Sequence, residues 1–399
     1  MIRVAVTGLG AIAPHGDDDR ALFAALMRGE SALRPVFPEL PKPAIAAVAP
    51  FDETRWFTKL QLAGVDRVSQ IAVAAADLAM RDAAAANTCE SERIGVYGGC
   101  GMGGAAALET AYRGARVPPL TIPSFMPNAP ASHVAMRNQA RGPVLTYSVA
   151  CASSAVAIAE AAKAIASGEV DVAIAGGSEA LIVPGVVVAW QAMQTLATFT
   201  PERAAQAVKP FAADRSGFAL GEGATFLVLE SEERARQRGA TVRAWLSGWG
   251  TTCDATHLTK PDQNGQARAL RAALQRAGLT PRDVGYCNAH GTATRIGDVV
   301  ESHALAEVWG DDLGTLRVSS TKALHGHLLG AAGALEALVT ILALEQRRAP
   351  PNVHCETVDP ECRLNLVLES DLAAPDLRHA ITNSFAFGGT NCVLLFSRA

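Results

Sequence analysis

Three places in this 399-residue chain have the setting for covalent chemistry: one cysteine, a lone histidine and a histidine pair. Cys151 stands in Thr146-Tyr147-Ser148-Val149-Ala150-Cys151-Ala152-Ser153-Ser154, where apolar, partly β-branched letters give way to helix formers at three- and four-residue steps. The pattern predicts a buried strand from Val144 to Val149, a turn at Cys151, and a buried helix that stops at Gly168. Unpaired N–H groups and the positive end of the helix dipole gather at such a turn, so the expected thiol pKa is lowered toward the nucleophilic thiolate. The competing reading is a small buried cysteine without reactivity. His290 follows a strand in Tyr286-Cys287-Asn288-Ala289-His290-Gly291-Thr292-Ala293-Thr294. His325 and His327 flank Gly326 in the segment Val318 to Gly333, and Glu336 sits on the helix that starts there. Active sites of open α/β sheets lie at such strand ends. Taken singly each histidine reads as a hydrogen-bonded structural residue; together with a cysteine at a helix start they form a set. Metal binding is the rival use. It is disfavoured because His325 and His327 share one turn with no carboxylate or second cysteine at ligand spacing.

The elements that must position these residues alternate between strand and helix along the chain. Strands are expected near Val4, Ile94, Val144, Val170 and Ala224, and helices from Val65 to Ala84 and after Cys151. Ser231 to Gly239 is charged and polar, and beyond it the pattern restarts with a strand near Trp245 and a helix from Ala267 to Ala277. No repeat is visible letter by letter. The alternation implies largely parallel sheets covered by helices, in two halves divided as 1–238 and 239–399. Pro118 to Pro130 reads as a rigid loop. Val4-Ala5-Val6-Thr7-Gly8-Leu9-Gly10-Ala11-Ile12-Ala13 imitates a dinucleotide-binding opening, but Pro14-His15-Gly16 follows at once, so no helix opens on the glycines. A structural turn is the better reading.

Bulk properties narrow the class. The chain is 49% hydrophobic and 19% charged with a net charge of −4, which points away from disorder and from general nucleic-acid affinity. A strand is expected directly after Met1, with no room for a signal peptide, and no uninterrupted apolar run reaches the length of a membrane span. Eight cysteines without any C-x-x-C pair argue against a disulfide framework or zinc ribbon and fit a reducing cytoplasm.

On these motifs the chain resembles the elongating β-ketoacyl-acyl-carrier-protein synthases, the condensing branch of the thiolase superfamily. The match runs over essentially the whole length. It takes in Ala150 to Ser154, Gly176-Gly177-Ser178-Glu179, Arg215 to Gly223, Asn288 to Thr292, Lys322 to Gly333 and Asn383 to Asn391. The resemblance implies a thiolase-like fold of two similar α/β halves in an α-β-α-β-α layered core. It implies decarboxylative condensation of an acyl thioester with malonyl-acyl carrier protein, in fatty-acid or specialised polyketide or polyene synthesis. It carries the nucleophile to Cys151, the catalytic histidines to His290 and His327, and supporting roles to Lys322 and Glu336. His325 has no catalytic counterpart. Thr292 and Thr294 would meet the phosphopantetheine arm, the N–H groups of Cys151 and Phe387 would form the oxyanion hole, and Phe385 to Gly389 would be a gating loop. Met102 would end the acyl pocket near a homodimer interface; a heterodimer with a related ketosynthase subunit is the other assembly. No metal or separate cofactor is implied. An acidic carrier protein needs a positive rim, for which Lys59, Arg67, Arg203 and Lys209 are the candidates. Ala212, Arg295, Gly297 and Ala386 depart from the family's common letters. A non-catalytic scaffold or chain-length partner is the competing function, disfavoured by the intact Cys151, His290 and His327.

Overall fold

The strand β1 (Val4–Ile12) is buried along its whole length, as an unbroken apolar run must be when helices cover both faces of its sheet. Its two glycines are packing residues. A Cβ at Gly8 or Gly10 would come within 2.2 Å of the carbonyl oxygens of Ala79 and Ala75, which lie on the helix α1 (Arg67–Asp82). The Gly-x-Gly opening therefore seats a helix and not a pyrophosphate. The computed structural model describes residues 3–86, 88–114, 117–369 and 372–399.

Among the described residues the main sheet has eleven strands. After β1 come β2 (Ile94–Gly99), β3 (Val144–Tyr147), β4 (Val172–Glu179) and β5 (Gly223–Ser231). The second half adds β6 (Ala244–Cys253), β7 (Tyr286–Asn288), β8 (Arg317–Ser319), β9 (Asn365–Leu366), β10 (His379–Phe385) and β11 (Thr390–Arg398). From one edge the order is β3-β2-β4-β5-β1, and then β6-β11-β10-β7-β8-β9. Leaving out β9, the second run is the first in mirror order. Pairing directions repeat as well: β2 is parallel to β3 and β4, and β7 to β8 and β10. The edge strand β9 is parallel to β8; the other pairs in each half are antiparallel, and β1 joins β6 antiparallel at the seam. The sheet is thus mixed, against the expectation of largely parallel pairing. Alternating strand and helix letters do not reveal that β10 and β11 form a hairpin, which can only be antiparallel.

Helices fill three layers around the two half-sheets. In the centre α3 (Ser153–Ser167) packs on β4 and β2, α6 (Ala332–Gln346) packs on β10 and β11, and the two helices pack on each other. Alanine and glycine make this close approach possible: a Cβ at Gly333 would lie 2.8 Å from that of Ala155. Outside, α1 covers β1, β5 and β4, with α2 (Ala129–Asn138) beside it. On the other half, α4 (Gln263–Ala277) lies on β6 and β11 with α5 (Arg295–Trp309) against it. Three hydrophobic cores correspond to the centre and the two outer layers. The stretches Ala150–Ser167 and Leu329–Gln346 are long and apolar enough to cross a membrane by composition, contrary to the sequence expectation. They are 72% and 89% buried inside the protein as its central layer. Two other expectations change. Pro118 to Pro130 holds a short helix, Thr121–Phe125, before α2 begins. β3 is not buried: it is the edge of the sheet, with Val144 and Leu145 exposed.

Candidate active site

Ala150 takes φ +48°, and Cys151 follows in a tight turn, Ala150–Ala152, that runs straight into α3. Positive φ is strained for a residue with a Cβ. Ser153 holds the turn: its Oγ accepts the Val149 N–H at 2.9 Å and donates to the Ala150 carbonyl at 2.7 Å. The side chain of Cys151, buried, is thereby aimed into a cleft of about 400 Å³. Burial pushes its thiol up to about 12, while the positive charge of Lys322 and the N–H of Phe387, directed at the sulfur, pull the other way. The expected lowered thiol is thus overturned. Desolvation of a charge outweighs the field of a helix start when the sulfur is cut off from water.

His327 Nε2 lies 3.0 Å from the Cys151 sulfur. Its Nδ1 accepts the Leu329 N–H at 3.3 Å, which assigns the ring proton to Nε2. The imidazole therefore points a donor at the Cys151 sulfur. His290 meets it edge to face, ring centres 5.4 Å apart. The loop of His290 is fixed by Glu301 on α5, whose carboxylate accepts the N–H groups of His290 (2.8 Å) and Gly291 (2.7 Å). Asn383 on β10 donates to that carboxylate at 2.9 Å. Burial, helped by the charge of Lys322, holds both imidazoles neutral, far below the ordinary histidine range. The sulfur and one nitrogen of each ring lie within 4.8 Å of one another, close enough for a metal. The proton on His327 Nε2 removes the lone pair that a ligand would need.

Behind the histidines Lys322 and Glu336 form a wholly buried ion pair. Burial raises the Glu336 carboxyl to about 7 against the pull of Lys322. Neither side chain hydrogen-bonds a histidine among the described residues, so their influence is the field of the lysine and the packing of the turn. His325 uses both ring nitrogens structurally, on the Gly326 carbonyl at 2.7 Å and Thr321 Oγ1 at 2.9 Å.

Cys151 thus sits on a strand-to-helix turn and faces two neutral histidines from the second half of the chain. Residues 1–235 match the profile of the β-ketoacyl synthase N-terminal domain, and residues 243–356 that of the C-terminal domain. The chain belongs to the β-ketoacyl synthase family. It is 36% identical to 3-oxoacyl-[acyl-carrier-protein] synthase 2 of Staphylococcus aureus (strain MRSA252), over 100% of this chain and 98% of the other. It is 40% identical to nodulation protein E of Rhizobium meliloti (strain 1021), over 99% of both. Among solved structures, a β-ketoacyl synthase from Burkholderia phymatum STM815 superposes with TM-score 0.92 at 34% identity over 100% of both chains. The ishigamide ketosynthase/chain length factor does so with TM-score 0.92 at 32% identity, over 100% of this chain and 99% of the other. The protein is accordingly an acyltransferase-type condensing enzyme. Ketosynthases of this family act on substrates carried by phosphopantetheine and need no separate cofactor.

In this β-ketoacyl synthase the remaining expected site residues fall into two groups. Thr292 and Thr294 line the cleft, their hydroxyls 3.0 Å apart, with Arg295 and Gly297 beside them. The Phe385 ring lies 6.1 Å from His290, and Phe387 stacks on Trp190 at 6.2 Å. Trp190 in turn meets Phe218, which meets His327 at 5.2 Å. In the loop after Phe385 the positive φ values belong to Gly388 (+87°) and Gly389 (+78°), and Ala386 has none. Ala212 is buried, its carbonyl accepting from Arg215, whose carboxylate partner is Asp359 at 2.6 Å.

The others are not brought to the cleft. Met102 is 45% exposed and lines a separate open groove with Ala105 and Tyr112. Arg67 is committed to Glu222, Nη2 to Oε1 at 2.6 Å, and to the Ala49 carbonyl, so it is no free rim cation. Lys209 pairs with Asp214, and exposed Arg203 lies 3.9 Å from Glu356. Lys59 is exposed. None of the four lines the cleft; the cations that do are Lys260 and Arg295. The sequence search looked in the half that carries the cysteine, but loops of the other half build much of the mouth. Glu301, Trp190 and Phe218 were given no role because nothing local marks one: each gains its role from partners ten or more residues away.

Proposed function

We propose that condensation in this enzyme uses Cys151 as the nucleophile and His290 and His327 as neutral oxyanion donors. The Cys151 sulfur attacks the acyl-carrier thioester; the carrier's sulfur leaves and takes up the thiol proton, so the acyl chain rests on the enzyme. Malonyl carrier protein then enters. Its carboxylate carbon–carbon bond breaks, CO2 departs, and the electron pair becomes an enolate whose oxygen the two imidazoles hold by N–H donation. The carbanion attacks the acyl carbon. The tetrahedral oxygen meets the N–H groups of Cys151 and Phe387, the Cys151 thiolate is expelled, and the 3-ketoacyl product remains on the carrier. Burial and the charge of Lys322 keep the imidazoles neutral, Glu336 holds Lys322 in place, Thr292 and Thr294 receive the amides of the arm, and Phe385 and Phe387 guard the acyl passage.

The observation that carries this reading is the His327 Nε2 donor 3.0 Å from the Cys151 sulfur, its tautomer fixed by Leu329. Incubation with acyl- and malonyl-carrier protein is the test, with CO2 release, a 3-ketoacyl product and acyl label on Cys151 the expected result. Acyl label on another cysteine, with Cys151 free, defeats it. An inert protein supports the scaffold reading instead.

We further infer a homodimer in the cytoplasm, where the eight free cysteines stay reduced. The exposed edge of β3, with apolar Val144 and Leu145, invites strand pairing with a second copy. The groove under Met102 borders that edge, since Ser148 donates to the Gly101 carbonyl at 3.1 Å, and a second copy would close it into the end of an acyl pocket. The halves would then act as 1–238, bearing the nucleophile, and 239–399, bearing the histidines. Light scattering checks the assembly; a monomer that dimerises only with a related ketosynthase subunit would replace the homodimer. The acidic carrier is expected on Lys260 and Arg295, with exposed Lys59 and Arg203 in a lesser role.

A further inference from the structure

Glu179 ends β4 and is wholly buried, with no cation in contact among the described residues. Its carboxylate is satisfied by backbone. Oε2 accepts the N–H of Gly101 at 2.8 Å and the N–H of Gly330 at 3.0 Å; Oε1 accepts the N–H of Met102 at 3.2 Å and the Cys100 thiol at 3.8 Å. These donors come from opposite halves of the chain. Gly101 and Met102 follow β2, and Gly330 lies in the turn that opens α6. Both glycines are forced by the carboxylate: a Cβ at Gly101 would stand 2.7 Å from Oε2, and one at Gly330 only 2.5 Å.

Gly330 is one residue beyond Leu329, whose N–H makes His327 Nδ1 an acceptor. Leu329 takes φ +47°, a strained setting that needs outside support. We propose that Glu179 is a positioning residue that holds the Leu329-Gly330 turn, and through it the Nε2–H tautomer of His327, while anchoring the Gly101–Met102 wall of the neighbouring groove. Leu329 and Ala105 both belong to the apolar cluster around Cys151, and Ala105 also lines that groove. One carboxylate therefore sets the imidazole and the wall together. The proposal rests on the condensing reading for its kinetic consequence but not for its geometry.

The variant Glu179→Gln keeps the shape and turns one acceptor oxygen into an NH2 that faces backbone donors, so one of the two turns must give way. Three readouts follow. CO2 release from malonyl carrier protein should fall about tenfold in kcat with KM nearly unchanged, and the chain-length profile of Cys151 acylation should shift. Nitrogen-15 NMR of the imidazoles should show loss of the single Nε2–H tautomer of His327. Glu179→Asp serves if the glutamine variant does not fold, because it keeps the charge but withdraws the oxygens by one methylene; the same three changes are expected of it. A folded variant with unchanged CO2 release and tautomer overturns the proposal, as does a loss confined to thermal stability or to KM. Wild-type protein that releases no CO2 would count against the condensing reading, and the tautomer measurement would still decide this one.

Discussion

The two halves carry the same turn at the same place in the strand order and use it for different ends. In the first half Ala150 has φ +48° and the next residue is Cys151, at the head of α3. In the second half Leu329 has φ +47° and the next residue is Gly330, at the head of α6. A second parallel lies at the ends of β2 and β7. There, carboxylates of Glu179 and Glu301 each accept two consecutive N–H groups, from Gly101 and Met102 in one half and His290 and Gly291 in the other. Each half thus owns a helix-start turn and a clamped loop, but only one turn bears a cysteine and only one loop an imidazole. Cys151 and His290 face one cleft because the central helices α3 and α6 pack together, bringing the cysteine turn of one half against the histidine loop of the other. The spare pair, Gly330 and Gly101, meets instead on Glu179. What differs between the halves is the side chain at each position; the backbone is shared.

Substitution at the working turn should break the comparison most completely. Cys151→Ser should abolish acyl transfer, since a hydroxyl without a dedicated base is a far weaker nucleophile. CO2 release from malonyl carrier protein should persist on the histidines, as radiolabelled CO2 and mass spectrometry can check. On the second half, His327→Ala should lower turnover on the order of 100-fold, the scale of a lost oxyanion donor. His325→Ala should leave the chemical step within a few-fold, because both its ring nitrogens serve the fold; equal losses would put the role on the wrong side of Gly326.

At the spare turn Gly330→Ala should destabilise the protein by about 1–3 kcal/mol in denaturant titration, as overpacking does. Its Cβ would stand 2.6 Å from the Gly101 nitrogen as well as against Glu179. The equivalent position in the first half tolerates a full cysteine side chain. Alkylation of Cys151 should sharpen the electrostatic contrast: with the thiol pushed up to about 12, the thiolate fraction and the rate should rise about tenfold per pH unit from pH 7 to 10. A plateau below pH 8 would mean that the helix start and Lys322 overcome burial. The smallest effect is expected of Ala386→Gly. The hairpin needs positive φ only at Gly388 and Gly389, so acylation rates for short and long chains should stay within about twofold. Stability should fall by at most about 1 kcal/mol from added freedom of the unfolded chain. A broadened chain-length range would instead show that Ala386 restrains the loop during acyl loading.

Much of this protein was legible in its letters. The Gly-rich turns, the change from strand to helix period at Cys151 and the motif residues His290, His327, Lys322 and Glu336 are local in sequence, so reading them needs no knowledge of distant contacts. The strands β1, β4 and β5 likewise follow from continuous apolar runs, and the helix α1 from apolar residues at helical spacing on one face. Tertiary structure alone decided the rest. The repeat of the halves is carried by strand order and backbone angles, which the letters do not preserve. Burial of the sulfur reversed the direction of its pKa because desolvation depends on everything packed around it. Arg67 could not be told from a free cation until Glu222 was found beside it, 155 residues away in sequence. Glu179, Glu301 and Trp190 act through partners brought to them by the packing of α3 on α6 and the closing of the β10–β11 hairpin. A sequence specifies each turn by its own residues, but which turns meet is set by the summed burial of whole layers.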